Sequence, residues 1–74
     1  MITADCLDRM LPVVADSWEK LRRGDVFRLM DSIHYLSAES ANDAAGFIAA
    51  RRPDLEAEAK EAADDLVAEY GLLK

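Results

Sequence analysis

Five carboxylates in the last third of the chain carry its most specific spacing. Asp54, Glu58, Glu61, Asp65 and Glu69 follow one another at intervals of 4, 3, 4 and 4 residues, which on an α-helix stacks all five along one side. The stretch from Asp54 to Glu69 also holds Glu56 and Asp64 against a single base, Lys60, a balance of −6 that equals the formal net charge of the whole chain. Three chemistries use grouped carboxylates. Glycosidase-type catalysis needs two of them facing across a cleft with separated pKa values, and one helix face offers no cleft. Calcium binding needs a loop of the D-x-D-x-D-G kind, and none is present. The third is electrostatic recognition. A row this long would extend roughly 22 Å at about 1.5 Å per residue, with neighbouring acids about 5–6 Å apart. Carboxylates at i,i+4 spacing repel one another, so a face shaped by stability alone would interleave Lys or Arg. The ridge reads either as a solvated outer face, its first acids favoured by the helix dipole, or as a contact surface for a basic partner, where complementary charge selects the partner and speeds association; the second is the working expectation.

The other residues with chemical potential are single. Cys6 is the only cysteine and His34 the only histidine. Neither a disulfide framework nor a histidine–cysteine metal site can be built from them. A catalytic pair would need an orienting acid as well, and Asp5 and Asp8 oppose activation of the Cys6 thiol. Cys6 reads as a packing residue and His34 as a partly exposed residue near a helix end. No cofactor or metal is expected, and the chain reads as a non-enzyme.

These residues must be positioned by a small, helical scaffold. Seventy-four residues allow one domain, taken as 1–74. Thirteen alanines favour helix throughout. The expected class is all-α, a compact bundle of about four helices with the first kinked at Pro12. Helix one runs from a cap at Thr3, with Leu7, Met10, Leu11, Val14, Trp18 and Leu21 recurring at helical spacing. Pro12 removes one hydrogen bond while the apolar stripe keeps phase across it, which predicts one kinked helix. Gly24 reads as a left-handed stop. Helix two follows a cap at Asp25 and buries Val26, Leu29, Met30, Ile33 and Leu36, with Phe27 on its flank. Helix three opens at Ser40 with the capping box Ser40-Ala41-Asn42-Asp43, buries Ala41, Ala44, Ala45 and Ile48, and ends at Arg51-Arg52. Pro53 opens helix four. Its stripe is Leu55, Ala59, Ala62, Ala63, Leu66 and Tyr70, and Gly71 closes it with Leu72 folding back onto Val67.

Composition excludes several roles. The longest apolar run is about five residues, far short of a membrane span, and Met1 to Asp5 has neither the basic start nor the apolar core of a signal peptide. With a lone cysteine, a cytoplasmic setting is expected. An acidic balance disfavours direct contact with nucleic acid or anionic lipid, and a helix-turn-helix reading of helices three and four fails because the second is the most acidic segment. Arg23-Gly24-Asp25 spells an adhesion tripeptide, but helix boundaries account for it. In size and charge the chain is similar to phage-encoded inhibitors such as anti-CRISPR proteins and DNA mimics. The expected function is accordingly a small acidic protein that binds another protein, in its sharpest form an inhibitor occupying a basic, nucleic-acid-binding surface through Asp54, Glu58, Glu61, Asp65 and Glu69. The alternative is an antitoxin-like or adaptor subunit that forms a homodimer through the alanine-rich faces of helices three and four.

Overall fold

The computed structural model describes residues 4–35 and 37–72. Its four α-helices among these residues are α1 (Ala4–Met10), α2 (Val26–Asp31), α3 (Ala38–Arg51) and α4 (Glu56–Tyr70), joined partly by 3-10 turns, with no strand in the described residues. The architecture is an all-α bundle of 32 × 21 × 18 Å. Thr3 and Leu36, expected as a cap and a core residue, lie outside the described residues.

The core follows the helical period closely. Leu7, Leu11, Leu21, Val26, Leu29, Met30, Ile48, Leu55 and Leu66 are buried in one cluster with alanines from α3 and α4. Those alanines decide how the long helices meet. Ala41, Ala44 and Ala45 of α3 and Ala59, Ala62 and Ala63 of α4 are all inside. Small side chains let the two antiparallel backbones approach closely, and a larger residue on either face would overpack them. The faces that suggested self-association are thus spent within one chain.

Helix one is where the expectation needs correction. The chain does not continue as one kinked helix. It leaves α-helical geometry at Met10, makes a 3-10 turn over Leu11–Val13 around Pro12, and becomes extended at Ser17 before a second 3-10 turn, Trp18–Lys20. Three side-chain anchors, from Asp8, Arg51 and Arg52, stabilise the broken path. The Trp18 indole Nε1 donates to Asp8 Oδ1 at 3.0 Å, and Arg51 stacks over the Trp18 ring with its guanidinium carbon 5.3 Å from the centroid. Arg52 Nη1 donates to the carbonyls of Trp18, Glu19 and Leu21 at 2.7, 3.3 and 3.0 Å. One guanidinium thus serves carbonyls that a continuing helix would have satisfied internally, although the Trp18 carbonyl also accepts from the Leu21 N–H at 3.3 Å. Leu21 reaches the core by either route, which is why its periodicity did not reveal the break.

Three boundary devices also differ. Gly24 does not adopt a left-handed conformation; it lies in a 3-10 turn, Arg23–Asp25, that leads into α2. Asp25 precedes α2 without capping it through its side chain, and its Oδ1 accepts from Arg28 Nη1 at 3.2 Å instead. Helix α3 begins one turn earlier than expected, capped by Ser37, whose Oγ accepts from the Ser40 backbone N–H at 3.3 Å. The end of α4 is as expected. Gly71 is left-handed at φ 62°, and the Leu72 N–H returns to the Val67 carbonyl at 3.1 Å, the bond of a Schellman ending.

Candidate functional site

The acidic side of α4 borders a groove shared with α2. The two helices lie side by side and run in the same direction, as three contacts show. Arg23 Nη1, just before α2, meets Glu58 Oε1 near the start of α4 at 3.1 Å. Phe27 lines the middle of the groove with Ala62 and Asp65. The Tyr70 hydroxyl, at the end of α4, donates to Asp31 Oδ1, at the end of α2, at 2.6 Å. The period of each helix produces this register. Val26, Leu29 and Met30 turn inward, which leaves Phe27 and Asp31, one turn apart, along the outer edge.

The five expected site residues divide into two groups. Asp54 lies before α4, in the 3-10 turn Pro53–Leu55, and is held by Arg52 through Nε–Oδ1 at 3.0 Å and Nη2–Oδ2 at 2.8 Å. Bidentate hydrogen bonding by that guanidinium holds the Asp54 carboxyl below the usual range. Its task is to orient the residue that clamps the Trp18–Leu21 carbonyls. Glu58 is partly buried, with its side chain 24% exposed. Its Oε1 bonds Arg23, while Oε2 is buried with no hydrogen-bond partner in the described structure. Glu61, Asp65 and Glu69 are exposed, and none of them forms an ion pair with any described residue. Off the ridge, Glu56 pairs with Lys60 at 3.7 Å, and Asp64 is exposed on the α3 side of the helix.

Aromatic residues complete this surface. Val13, Phe27 and Tyr70 are the large hydrophobic side chains most exposed among the described residues, at 61%, 36% and 56%. Two of the three therefore flank the α2–α4 groove. For Tyr70 this corrects the expectation of a core position. Its ring leaves the inward stripe so that its hydroxyl can reach Asp31. That hydrogen bond, ahead of smaller burial and charge effects, pushes the Tyr70 phenol above its usual pKa. Exposed aromatic side chains are among the residues by which protein interfaces differ from the rest of a surface, whereas Asp and Glu are depleted there. The period of α4 pointed to its acids, but nothing local in the sequence marked Phe27, Asp31 and Tyr70 as their neighbours.

The remaining candidates stay apart. Cys6 is half-buried and lines a depression with Arg9, Met10, Ser32 and Ile33, whereas exposed His34 lines a different one with Asp31, Tyr35 and Tyr70. No group of three His, Cys, Asp or Glu among the described residues is close enough to hold a metal ion, and none of the described helices is long and apolar enough to cross a membrane. Comparison with known proteins finds no family model, no curated protein and no solved structure that matches the chain.

Proposed function

We propose that this chain is a non-enzymatic binding module that docks onto a basic surface of another protein through the acidic α2–α4 face, and that in its sharpest form it is an inhibitor competing there with nucleic acid. The carrying observation is that Glu61, Asp65 and Glu69 stand exposed and unpaired at helical spacing in a chain whose bases are largely engaged elsewhere. Arg23, Arg28, Arg51, Arg52, Lys20 and Lys60 each meet an acid within the chain. The contact set is narrower than the spacing suggested, because Asp54 and Glu58 already have partners. Phe27 and Tyr70 add apolar area that charge alone would lack, so the docked face combines steering with anchoring.

The test is capture from a host lysate with tagged chain at low and high salt, followed by identification of the retained proteins. The wild type is compared with the triple variant Glu61→Lys, Asp65→Lys, Glu69→Lys, with circular dichroism confirming that both are folded. A partner retained at low salt should be released at high salt, as a screened contact requires, and should be missing from the variant's eluate. Retention of the same proteins by the variant removes the ridge from the interface.

A further inference from the structure

We infer that the cleft between the C-terminal ends of α2 and α4 receives one cationic side chain, arginine or lysine, from the protein partner proposed above. The cleft has a volume of about 270 Å³ and is lined by Asp31, Ile33, His34, Tyr35, Tyr70 and Leu72. That lies below the roughly 300–1,000 Å³ of sites that hold drug-sized ligands, and suits a single headgroup with its stem. Asp31 is the only carboxylate in the lining, and neither Lys nor Arg stands among these residues. Asp31 accepts the Tyr70 hydroxyl on Oδ1, while Oδ2 has no hydrogen-bond partner and the residue no ion pair among the described residues. One lone-pair edge of a charged carboxylate is thus open to an incoming donor.

The walls match that carboxylate. Both tyrosine rings are tethered by their hydroxyls, Tyr70 to Asp31 and Tyr35 to the Met30 carbonyl at 2.7 Å, so their faces are fixed before a ligand arrives. A cation held over such rings is attracted by their quadrupoles. Ile33 and Leu72 supply apolar surface for the methylene stem. The ends of two helices add negative potential. The last turn of α4 contains no base, and the one base in the last turn of α2, Arg28, is drawn back to Asp25. Burial first, and then Asp31, raises the Tyr35 pKa, and Asp31 also raises that of Tyr70. An anion would be repelled here, and a neutral apolar group would leave Asp31 desolvated without compensation.

The experiment is a ¹H–¹⁵N NMR titration of the full chain at mildly alkaline pH, with N-acetyl-arginine amide, N-acetyl-lysine amide and the neutral isostere N-acetyl-citrulline amide. At least one cation should give saturable, millimolar shifts centred on Asp31, His34, Tyr35 and Tyr70, with citrulline weaker by about tenfold or more. Asp31→Asn should reduce the cation to the citrulline level. Equal shifts from cation and citrulline, unchanged binding in Asp31→Asn, or shifts spread evenly over every acidic residue overturns the inference. The citrulline comparison needs no variant, so it stands even if a substitution disturbs the fold. The inference rests on reading this face as the partner surface, yet the two fail separately. The titration reports on the free chain and the cleft, and the lysate capture reports on Glu61, Asp65 and Glu69.

Discussion

Asp65→Asn should make the free protein more stable. Asp65 has Glu61 four residues before it and Glu69 four residues after it on α4, and it makes no hydrogen bond or ion pair among the described residues that the change would break. Asn and Asp have nearly the same helix propensity, so the substitution isolates the charge. Two like-charge i,i+4 pairs at about 0.2–0.5 kcal/mol each give a gain of about 0.4–1 kcal/mol. Arg23 lines the same groove but is bonded to Glu58, and its residual attraction to Asp65 offsets part of that gain. For a domain of this size each kcal/mol moves Tm by about 4–8 °C, so the melting point should rise by about 2–8 °C. The assay is thermal unfolding by far-ultraviolet circular dichroism in about 10 mM and about 1 M salt, where the Debye length is about 30 Å and about 3 Å. The rise should be clear at low salt and nearly absent at high salt. Asp64→Asn, at a site with no acid four residues away on either side, should stay within about 0.5 kcal/mol of the wild type. A lower Tm for Asp65→Asn, or a gain that ignores salt, would refute the claim that the ridge is electrostatically costly.

Three further outcomes follow from the packing and the hydrogen bonds. Leu66→Ala, at a fully buried core position, should cost about 2–5 kcal/mol in denaturant unfolding, since the alanine faces around it leave little that can collapse into the space. Arg52→Ala should release the Trp18–Leu21 segment, read as faster amide exchange there while α3 and α4 keep their protection; it should also lessen the acid sensitivity due to Asp54, because the lowered Asp54 pKa contributes stability that is present above the ordinary carboxylate value and lost as pH falls through the folded one. Tyr35→Phe should cost about 0.5–1.5 kcal/mol at neutral pH by removing one hydrogen bond to the Met30 carbonyl, which keeps the Ile33 N–H, and should flatten the alkaline limb measured by urea unfolding, since a raised tyrosine pKa contributes stability that is complete below about pH 10 and lost as pH rises further.

Helical periodicity reports which residues face inward, and on that question it served well. The buried set from Leu7 to Leu66 and the boundaries at Pro53 and Gly71 were legible, because each rests on local chemistry: a 3.6-residue repeat, a missing N–H, a left-handed glycine. Periodicity does not report whether the backbone stays helical between two inward residues. The break after Pro12 is stabilised by Asp8, Arg51 and Arg52, and the Arg52 bonds span 31 to 34 residues of sequence, so no window along the chain contains their cause. The candidate site divides in the same way. The spacing of Glu61, Asp65 and Glu69 was visible, whereas the internal partners of Asp54 and Glu58, and the side of the molecule on which Phe27, Asp31 and Tyr70 join the ridge, depend on how α2 lies against α4.

The distribution of charge follows from the same packing. Between Val14 and Asp25 the chain meets the core through Leu21, with Val14, Ala15 and Trp18 packed against it, and Arg51 and Arg52 fasten its middle through Trp18 and three carbonyls. Six bases are engaged in ion pairs within the chain, so the net −6 resides on acids without such partners. A helix tolerates acids best in its first turn, and Glu56 and Glu58 are there, but both are paired with bases. The unpaired ones stand further along, with Glu69 in the last turn of a helix that ends without a base, where its dipole disfavours negative charge. Folding gains nothing from that placement. A positively charged surface approaching the α2–α4 face would relieve the repulsion along Glu61, Asp65 and Glu69 and the unfavourable dipole together, so the binding proposed above would recover what the free helix gives up.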